Sequence, residues 1–141
     1  MKLTTRILGG AALITAIAST GFAASHLDPA AASAIKARQS HMQLYQHNLA
    51  ALGNMAKGAV EYDADVASAH AADILALATM NQSGYWVPGT DSTALPDDTK
   101  ASAAIWAEGS QIGAAAGGMV EAATAMNAAA GGGLESMQAA M

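Results

Sequence analysis

The sequence predicts an all-α protein, an antiparallel four-helix bundle with an incomplete fourth helix. The chain is rich in alanine and other strong helix formers, and only 4% of its residues are aromatic. Apolar residues recur every seven positions in two long segments, the pattern of helices packed in a bundle. These two columns are Ile35, Met42, Leu49 and Ala56, and Ile105, Ile112, Met119 and Met126. The pattern starts again at Leu134 but lasts only about two turns.

Residues 1–23 have the features of a cleaved export signal. Two basic residues precede an uncharged apolar run over residues 7–18, which is too short to span a bilayer. Small residues end the segment, which predicts cleavage after Ala23 and a periplasmic protein with one domain over residues 24–141. Charged residues and glycines interrupt every later apolar run, so no membrane association is expected after cleavage.

The composition excludes several classes of function. Residues 24–141 carry four Lys or Arg against eleven Asp or Glu, a net charge of −7, so nucleic acid is not an expected partner. The absence of cysteine excludes disulfides, thiolate metal sites and thiol nucleophiles. The chain has no Glu-x-x-His pair and no nucleophile motif, so we expect neither a metal-carboxylate bundle nor an enzyme.

The first two helices have clear local signals. Helix one is predicted to begin at Pro29, after the capping residue Asp28, and to stop near Gly58. Its second column is Arg38, Tyr45 and Leu52, and the two columns together are predicted to form one buried seam of the bundle. Helix two is predicted from Asp63 or Asp65 to Met80, with Val66, Ile74 and Leu77 buried. The loop from Asn81 to Asp97 is longer than most bundle connections, which indicates a functional or covering role.

Helix three is predicted to begin at Asp97 or Asp98. Beside its large apolar column runs a column of small residues, Gly109, Ala116, Ala123 and Ala130. Small residues allow close approach, either of another helix or of a flat ligand. Three glycines at 131–133 form a turn before helix four. Because helix four is short, one wall of the bundle stays open, and association of two chains into a homodimer would close it.

Arg38 and Met42 lie one helical turn apart on the same face of helix one. A guanidinium next to a thioether on an inward face suits a ligand with a carboxylate edge and a soft metal centre, and haem has both. The alternative is that Arg38 extends to solvent at the bundle end and Met42 fills core.

Four stretches resemble the class II c-type cytochromes, the cytochrome c′ family. They follow the order and spacing of that family and cover essentially all of residues 24–141. The stretches are Ala34–Met42 (AIKARQSHM), Leu52–Gly58 (LGNMAKG), Pro88–Asp91 (PGTD) and Lys100–Trp106 (KASAAIW).

The resemblance implies a periplasmic four-helix bundle with one haem c, which transfers electrons to a redox partner protein or binds a small gas such as nitric oxide. By the resemblance, Arg38 and Gln39 approach the haem propionates. Met42 matches a distal residue that is an axial iron ligand in low-spin relatives and only a pocket wall in five-coordinate ones. Thr90 and Asp91 match positions near the haem edge.

The sequence departs from the family at the haem attachment. The family's Cys-x-x-Cys-His motif has no counterpart here, so we expect a chain truncated before that motif, in which covalent attachment of haem is not possible. His41 and His47 are six residues apart and cannot chelate together. An inward-facing His70 would pair with Met42 around a non-covalent haem, but a flank position is more common for a histidine. A haem-free structural or interaction bundle, or a non-functional remnant, is the alternative function.

Overall fold

The computed structural model describes residues 27–141, so the predicted export signal and His26 lie outside the described residues. Helices and turns account for the described secondary structure, with no strand among residues 27–141. The helices are α1 (Pro29–Ala56), α2 (Ala64–Thr79), α3 (Ile112–Ala129) and α4 (Leu134–Ala139). This confirms the predicted all-α bundle with a short fourth helix.

The helix ends follow local chemistry. Pro29 occupies the first turn of α1, and the chain leaves the helix through Gly58 at a φ of 69°. The Asp63 carboxylate accepts hydrogen bonds from the backbone N–H groups of Asp65 and Val66, which caps α2. The positions of these ends agree with the sequence prediction for helices one and two, but the expected side-chain cap by Asp28 is wrong, because its carboxylate makes no capping hydrogen bond.

The core lies where α2 packs between α1 and α3, and α4 contacts both α1 and α3. Tyr62 stabilises the turn between α3 and α4. Its hydroxyl donates to the Ala130 carbonyl at 2.7 Å and accepts from the Gly133 N–H at 3.1 Å. The fully buried residues include Leu52, Ile74 and Met137, together with Ala67, Ala71 and Ala130. Three of these six residues are alanines, so small side chains fill much of the contact between α2 and its neighbours.

The two columns of α1 have different roles. Arg38, Tyr45 and Leu52 are buried, whereas Met42 is 63% exposed and Leu49 is 43% exposed. The prediction of one joint seam is therefore wrong in detail: the second column faces the core, and Met42 and Leu49 face an open groove. The expected burial of Val66 is also wrong, because α2 turns its alanines inward and leaves Val66 on the surface.

Helix three begins much later than predicted. α3 starts at Ile112, and residues 97–111 form turns and a short 3₁₀ helix over Ala103–Trp106. Backbone hydrogen bonds from Leu95 to the Asp91 carbonyl and from Thr99 to the Leu95 carbonyl close a turn instead. Gly109, at a φ of 78°, then redirects the chain. Ile105 and Gly109 therefore belong to the connection between α2 and α3, which we call the long loop (residues 80–111).

Within residues 27–141, no helix is both long enough and apolar enough to cross a membrane.

Candidate functional site

An open apolar groove lies between α1 and α3. Its volume is about 670 Å³, and α1, the end of α2, the long loop and α3 all contribute walls. The lining residues are Met42, Tyr45, Leu49, Ala78, Met80, Asn81, Gln82, Trp86, Ile112, Ala115, Ala116 and Met119. The groove combines three thioethers with aromatic and small apolar walls, which suits a large, flat, mostly apolar ligand.

A second cavity of about 540 Å³ adjoins the groove and shares Met42 and Trp86 with it. Its other lining residues are Arg38, Gln39, Gln43, Thr99, Lys100, Ala101 and Ile105. Two cationic side chains border this cavity, whereas none borders the groove. A ligand lying across both would have its apolar part in the groove and any anionic part near Arg38 and Lys100.

Arg38 fastens the long loop to α1. Its Nη1 donates to the Tyr85 carbonyl and the Thr90 hydroxyl, both at 2.8 Å. Its Nη2 donates to the Thr90 carbonyl at 2.9 Å and to the Thr99 hydroxyl at 3.4 Å. Both terminal guanidinium nitrogens are therefore hydrogen-bonded to protein acceptors, and all of these acceptors are uncharged. We call this set of contacts the arginine clasp.

Two tryptophans stabilise the charge of Arg38 in place of a carboxylate. The guanidinium carbon lies 5.4 Å from the Trp86 ring centre and 5.7 Å from the Trp106 ring centre, within the range of cation–π attraction. Trp106 also donates its indole N–H to the Trp86 carbonyl at 3.1 Å. Burial lowers the pKa of Arg38 from its ordinary value, but an arginine stays protonated under all physiological conditions.

The other predicted site residues have separate positions around the clasp. Gln39 donates its side-chain amide to the Asp98 carbonyl at 2.8 Å and lines the second cavity. Thr90 is almost fully buried, and its hydroxyl also donates to the Val87 carbonyl. Asp91 accepts from the backbone N–H groups of Thr93 and Ala94, and it lines neither the groove nor the second cavity. These two N–H groups, that of Thr93 first, lower the pKa of the Asp91 carboxyl.

The three histidines of the described chain lie outside both cavities. His41 is buried against the rings of Tyr45 and Tyr85, at centroid distances of 4.9 and 5.8 Å. His47 and His70 face each other across α1 and α2, with ring centres 5.7 Å apart. His70 is therefore directed toward His47 rather than toward Met42. No group of three or more His, Cys, Asp or Glu suited to a metal ion occurs in residues 27–141.

The sequence alone does not reveal the tryptophan pair or the buried acceptors of Arg38. Trp86, Trp106 and Thr99 lie 48 to 68 residues from Arg38 in the chain, and no local pattern links them. The available signal is compositional: the long loop holds both tryptophans of a chain that is otherwise poor in aromatic residues. Burial raises the pKa of the Tyr45 phenol, and this burial agrees with the place of Tyr45 in the second column of helix one.

Comparison with known proteins gives a consistent family. Residues 33–141 match the family model described as Cytochrome C′. The chain is 36% identical over 122 residues to cytochrome c′ of Cereibacter sphaeroides, which covers 80% of this chain and 79% of that protein. It is 38% identical over 107 residues to cytochrome c-554 of the same organism, with coverage of 76% and 69%.

Solved structures agree with the sequence comparisons. Cytochrome c′ from Rhodobacter Spheriodes superposes with a TM-score of 0.70 at 35% identity, covering 78% of this chain and 84% of that one. Cytochrome c′ from Thermochromatium tepidum gives a TM-score of 0.69 at 25% identity, with coverage of 78% and 83%. The match to the family model includes most of α1, the long loop and all of α3, which together wall the groove. The chain therefore belongs to the cytochrome c′ family.

Proposed function

We propose that this chain is a periplasmic haem-binding protein that serves in electron transfer or in binding a small gas such as nitric oxide. The observation that carries the proposal is the apolar groove between α1 and α3, which opens beside the cavity bordered by Arg38 and Lys100. Bound haem would supply an iron centre that changes oxidation state or takes up the gas. The net charge of −7 over residues 24–141 supports a redox partner protein with a basic docking surface.

The walls of the groove fit a haem. The volume of about 670 Å³ is in the usual range for a cofactor pocket. Ala115 and Ala116 line it from α3, so a flat ring can approach the backbone of that helix closely. Trp86 and Met119 supply broad apolar contact that would exclude water from the ring.

The donor set does not fit covalent haem c. The 141 residues contain no cysteine, so they offer no thiol for a thioether link. None of His41, His47 and His70 lines the groove, so thioethers are the soft donors that it contains. Met42, which borders both cavities, is the proposed ligand or distal wall for the iron. Within these residues a haem would therefore be held by its apolar faces and not by a covalent bond.

We propose that the terminal nitrogens of Arg38 do not bind a haem propionate directly. Its terminal nitrogens are committed to the arginine clasp, which leaves the Nε–H and the positive charge to act on a neighbouring anion. Gln39 and Lys100 border the same cavity and would complete the anionic edge of the site. Thr90 and Asp91 would act indirectly, Thr90 by holding Arg38 and Asp91 by shaping the turn that follows.

A haem-free helical protein is the second candidate function. The observation that favours it is the missing donor set, because a groove without a cysteine or a histidine has no strong hold on iron. In that case the exposed groove would bind another apolar surface, including that of a second copy of the chain.

Titration of the purified chain with haemin separates the two functions. We expect one equivalent to bind, with a shifted Soret band. Ala116→Phe should weaken binding about tenfold or more, because the added ring fills the groove. Ala114→Phe is the matched control, since Ala114 is exposed on the same helix and does not line the groove. Equal binding by the two variants, or none by the wild type, would support the haem-free function.

Denaturing analysis of the exported chain tests the attachment. For a chain of residues 24–141 we expect the mass of the polypeptide alone, with no haem absorbance after unfolding. A haem that stays with the unfolded chain would contradict the proposal that these residues form no covalent link. Replacing Met42 by leucine, which keeps the apolar volume, should then remove any low-spin signal of the haemin complex if the thioether ligates iron.

A further inference from the structure

The most informative cluster outside the groove is formed by His47, His70 and Asn48. The His47 and His70 rings lie 5.7 Å apart between α1 and α2, and Asn48 contacts His70. His47 lies five positions after Met42, about 140° around the helix, so the cluster lies on the side of α1 away from the groove. It is not part of the haem site proposed above and does not depend on it.

The hydrogen bonds of Asn48 define which nitrogen of His70 carries the proton. The Asn48 side-chain nitrogen donates to the Leu44 carbonyl at 2.9 Å, and a carbonyl can only accept, so the amide cannot be flipped. The amide oxygen must then face His70 Nδ1, which lies 2.8 Å away. A neutral His70 is therefore protonated on Nδ1, which leaves the lone pair on Nε2.

This is the arrangement of a metal-binding histidine. Such a histidine typically donates its non-ligating N–H to a carbonyl, carboxylate or water, which orients the ring and raises the basicity of the ligating nitrogen. Asn48 is itself buried and fixed by Leu44, so the orientation of His70 is set before any ligand arrives. His47 is exposed and has the freedom to rotate toward a shared ligand.

The spacing of the rings also fits. With metal–nitrogen bonds of about 2.0–2.1 Å, a metal lies roughly 3.2 Å from each ring centre, and a tetrahedral angle separates two such centres by about 5 Å. The observed 5.7 Å lies within about 1 Å of this value, and the two ring planes meet at an angle of 69°. No third His, Cys, Asp or Glu completes a cluster in the described part of the chain, so water would fill the remaining positions.

We propose that His47 and His70 form a two-histidine site for a divalent transition ion of the Cu, Ni and Zn class, with Asn48 as the positioning residue of His70. Imidazole ligands suit these ions, and Cu(II) should bind most tightly of the three. Because the site joins α1 to α2, a bound ion would also cross-link these helices and raise the melting temperature.

The test uses copper(II) alone with the tag-free chain, followed by calorimetry and electron paramagnetic resonance. Every protein carries His26→Ala, because His26 lies near the predicted processed amino terminus and would bind copper by itself. We expect one equivalent of Cu(II) to bind with coupling to two imidazole nitrogens. His47→Ala and His70→Ala should each weaken binding about tenfold or more and remove the two-nitrogen signal.

Three further variants make the test specific. Gln46→Ala, on the exposed surface beside His47, should leave binding unchanged. Met42→Ala should also leave it unchanged, because its side chain lies in the groove. Asn48→Ala should weaken binding about 10–100-fold while both nitrogens remain in the spectrum, since it releases the orientation of His70 only.

Two results would overturn the site. One is Cu(II) binding that survives in His47→Ala or in His70→Ala with its affinity unchanged. The other is loss of binding in Met42→Ala, which would move the ion to the groove. His47 is exposed, so His47→Ala keeps the fold and decides the question even if His70→Ala is unstable.

Discussion

The two ends of α1 are held by different kinds of interaction. Near its carboxyl end, Leu52 packs with Ile74 and Met137 in an apolar core that excludes water, which we call the closed end. Near its amino end, Arg38 holds the long loop by hydrogen bonds and ring contacts beside an open groove, which we call the open end. Stability is therefore concentrated at the closed end, and the surface available to a ligand lies at the open end.

This division has a physical cause. An apolar core gains free energy from any well-packed set of side chains, whereas the arginine clasp depends on four particular acceptors. A loop held by directed bonds can keep one defined geometry beside a groove without filling it. The comparison predicts that core substitutions unfold the whole chain, while substitutions in the clasp loosen the long loop first.

The largest effect should come from Leu52→Ala at the closed end. Leu52 is fully buried, so its truncation leaves a cavity and should lower the free energy of unfolding by about 2–5 kcal/mol. Leu49→Ala, one turn away on the groove side, is the matched control and should cost less than about 1 kcal/mol. Urea denaturation measures both values. Similar losses at the two positions would contradict the division of the helix into two ends.

Arg38→Leu should have the second largest effect, at the open end. It leaves the acceptors from Tyr85, Thr90 and Thr99 without their donor, at a cost of about 2–3 kcal/mol after the loop shifts to reach water. Hydrogen exchange should then rise across residues 80–111 while amides around Ile74 stay protected. Arg38→Lys keeps the charge but loses the several N–H donors of the guanidinium. Its cost in stability should therefore be smaller than that of Arg38→Leu. Equal loss of protection at both ends would show that the clasp belongs to the global core.

The contrast between the ends also explains what the sequence could predict. The starts of α1, α2 and α4 were predictable because each has a local signal: Pro29 after Asp28, the Asp63 cap and Gly133. The start of α3 was not predictable. Asp97 and Asp98 are residue types that cap helices, but here they lie in a turn that ends at Thr99. That turn is held by Arg38, 61 residues away, and no periodicity reports such a contact.

The same limit applies to the candidate site. The spacing of Arg38 and Met42 was enough to single them out. It could not show that Arg38 donates to protein acceptors while Met42 faces the groove. The pairing of His47 with His70 was equally hidden, since it depends on how α1 and α2 are rotated against each other. Local chemistry predicts elements, and contacts between distant elements decide which of their faces are used.

A moderate effect is expected from Tyr62→Phe, which tests the turn between α3 and α4 at the closed end. The substitution removes the hydroxyl that bonds the Ala130 carbonyl and the Gly133 N–H, and nothing else. We expect a loss of about 1–2 kcal/mol and weaker protection of residues 130–141. Heat denaturation and exchange of the α4 amides measure this. An unchanged melting temperature would mean that water replaces the hydroxyl without cost.

The smallest effect concerns the pH response of Asp91 at the open end. Backbone N–H groups of Thr93 and Ala94 lower the pKa of this carboxyl below its ordinary value of 3.8, because they bond the charged form. A lowered pKa in the folded chain means that the ionised group favours folding above the ordinary value, and that this contribution is lost as the pH falls through the folded pKa. Asp91→Asn keeps an acceptor for both N–H groups without the charge. Loop protection in the wild type should therefore exceed that of the variant at neutral pH, and the two should converge in acid. A difference between them that stays unchanged after the Asp91 carboxyl has been protonated in acid would show that the carboxylate charge is not what orders this turn.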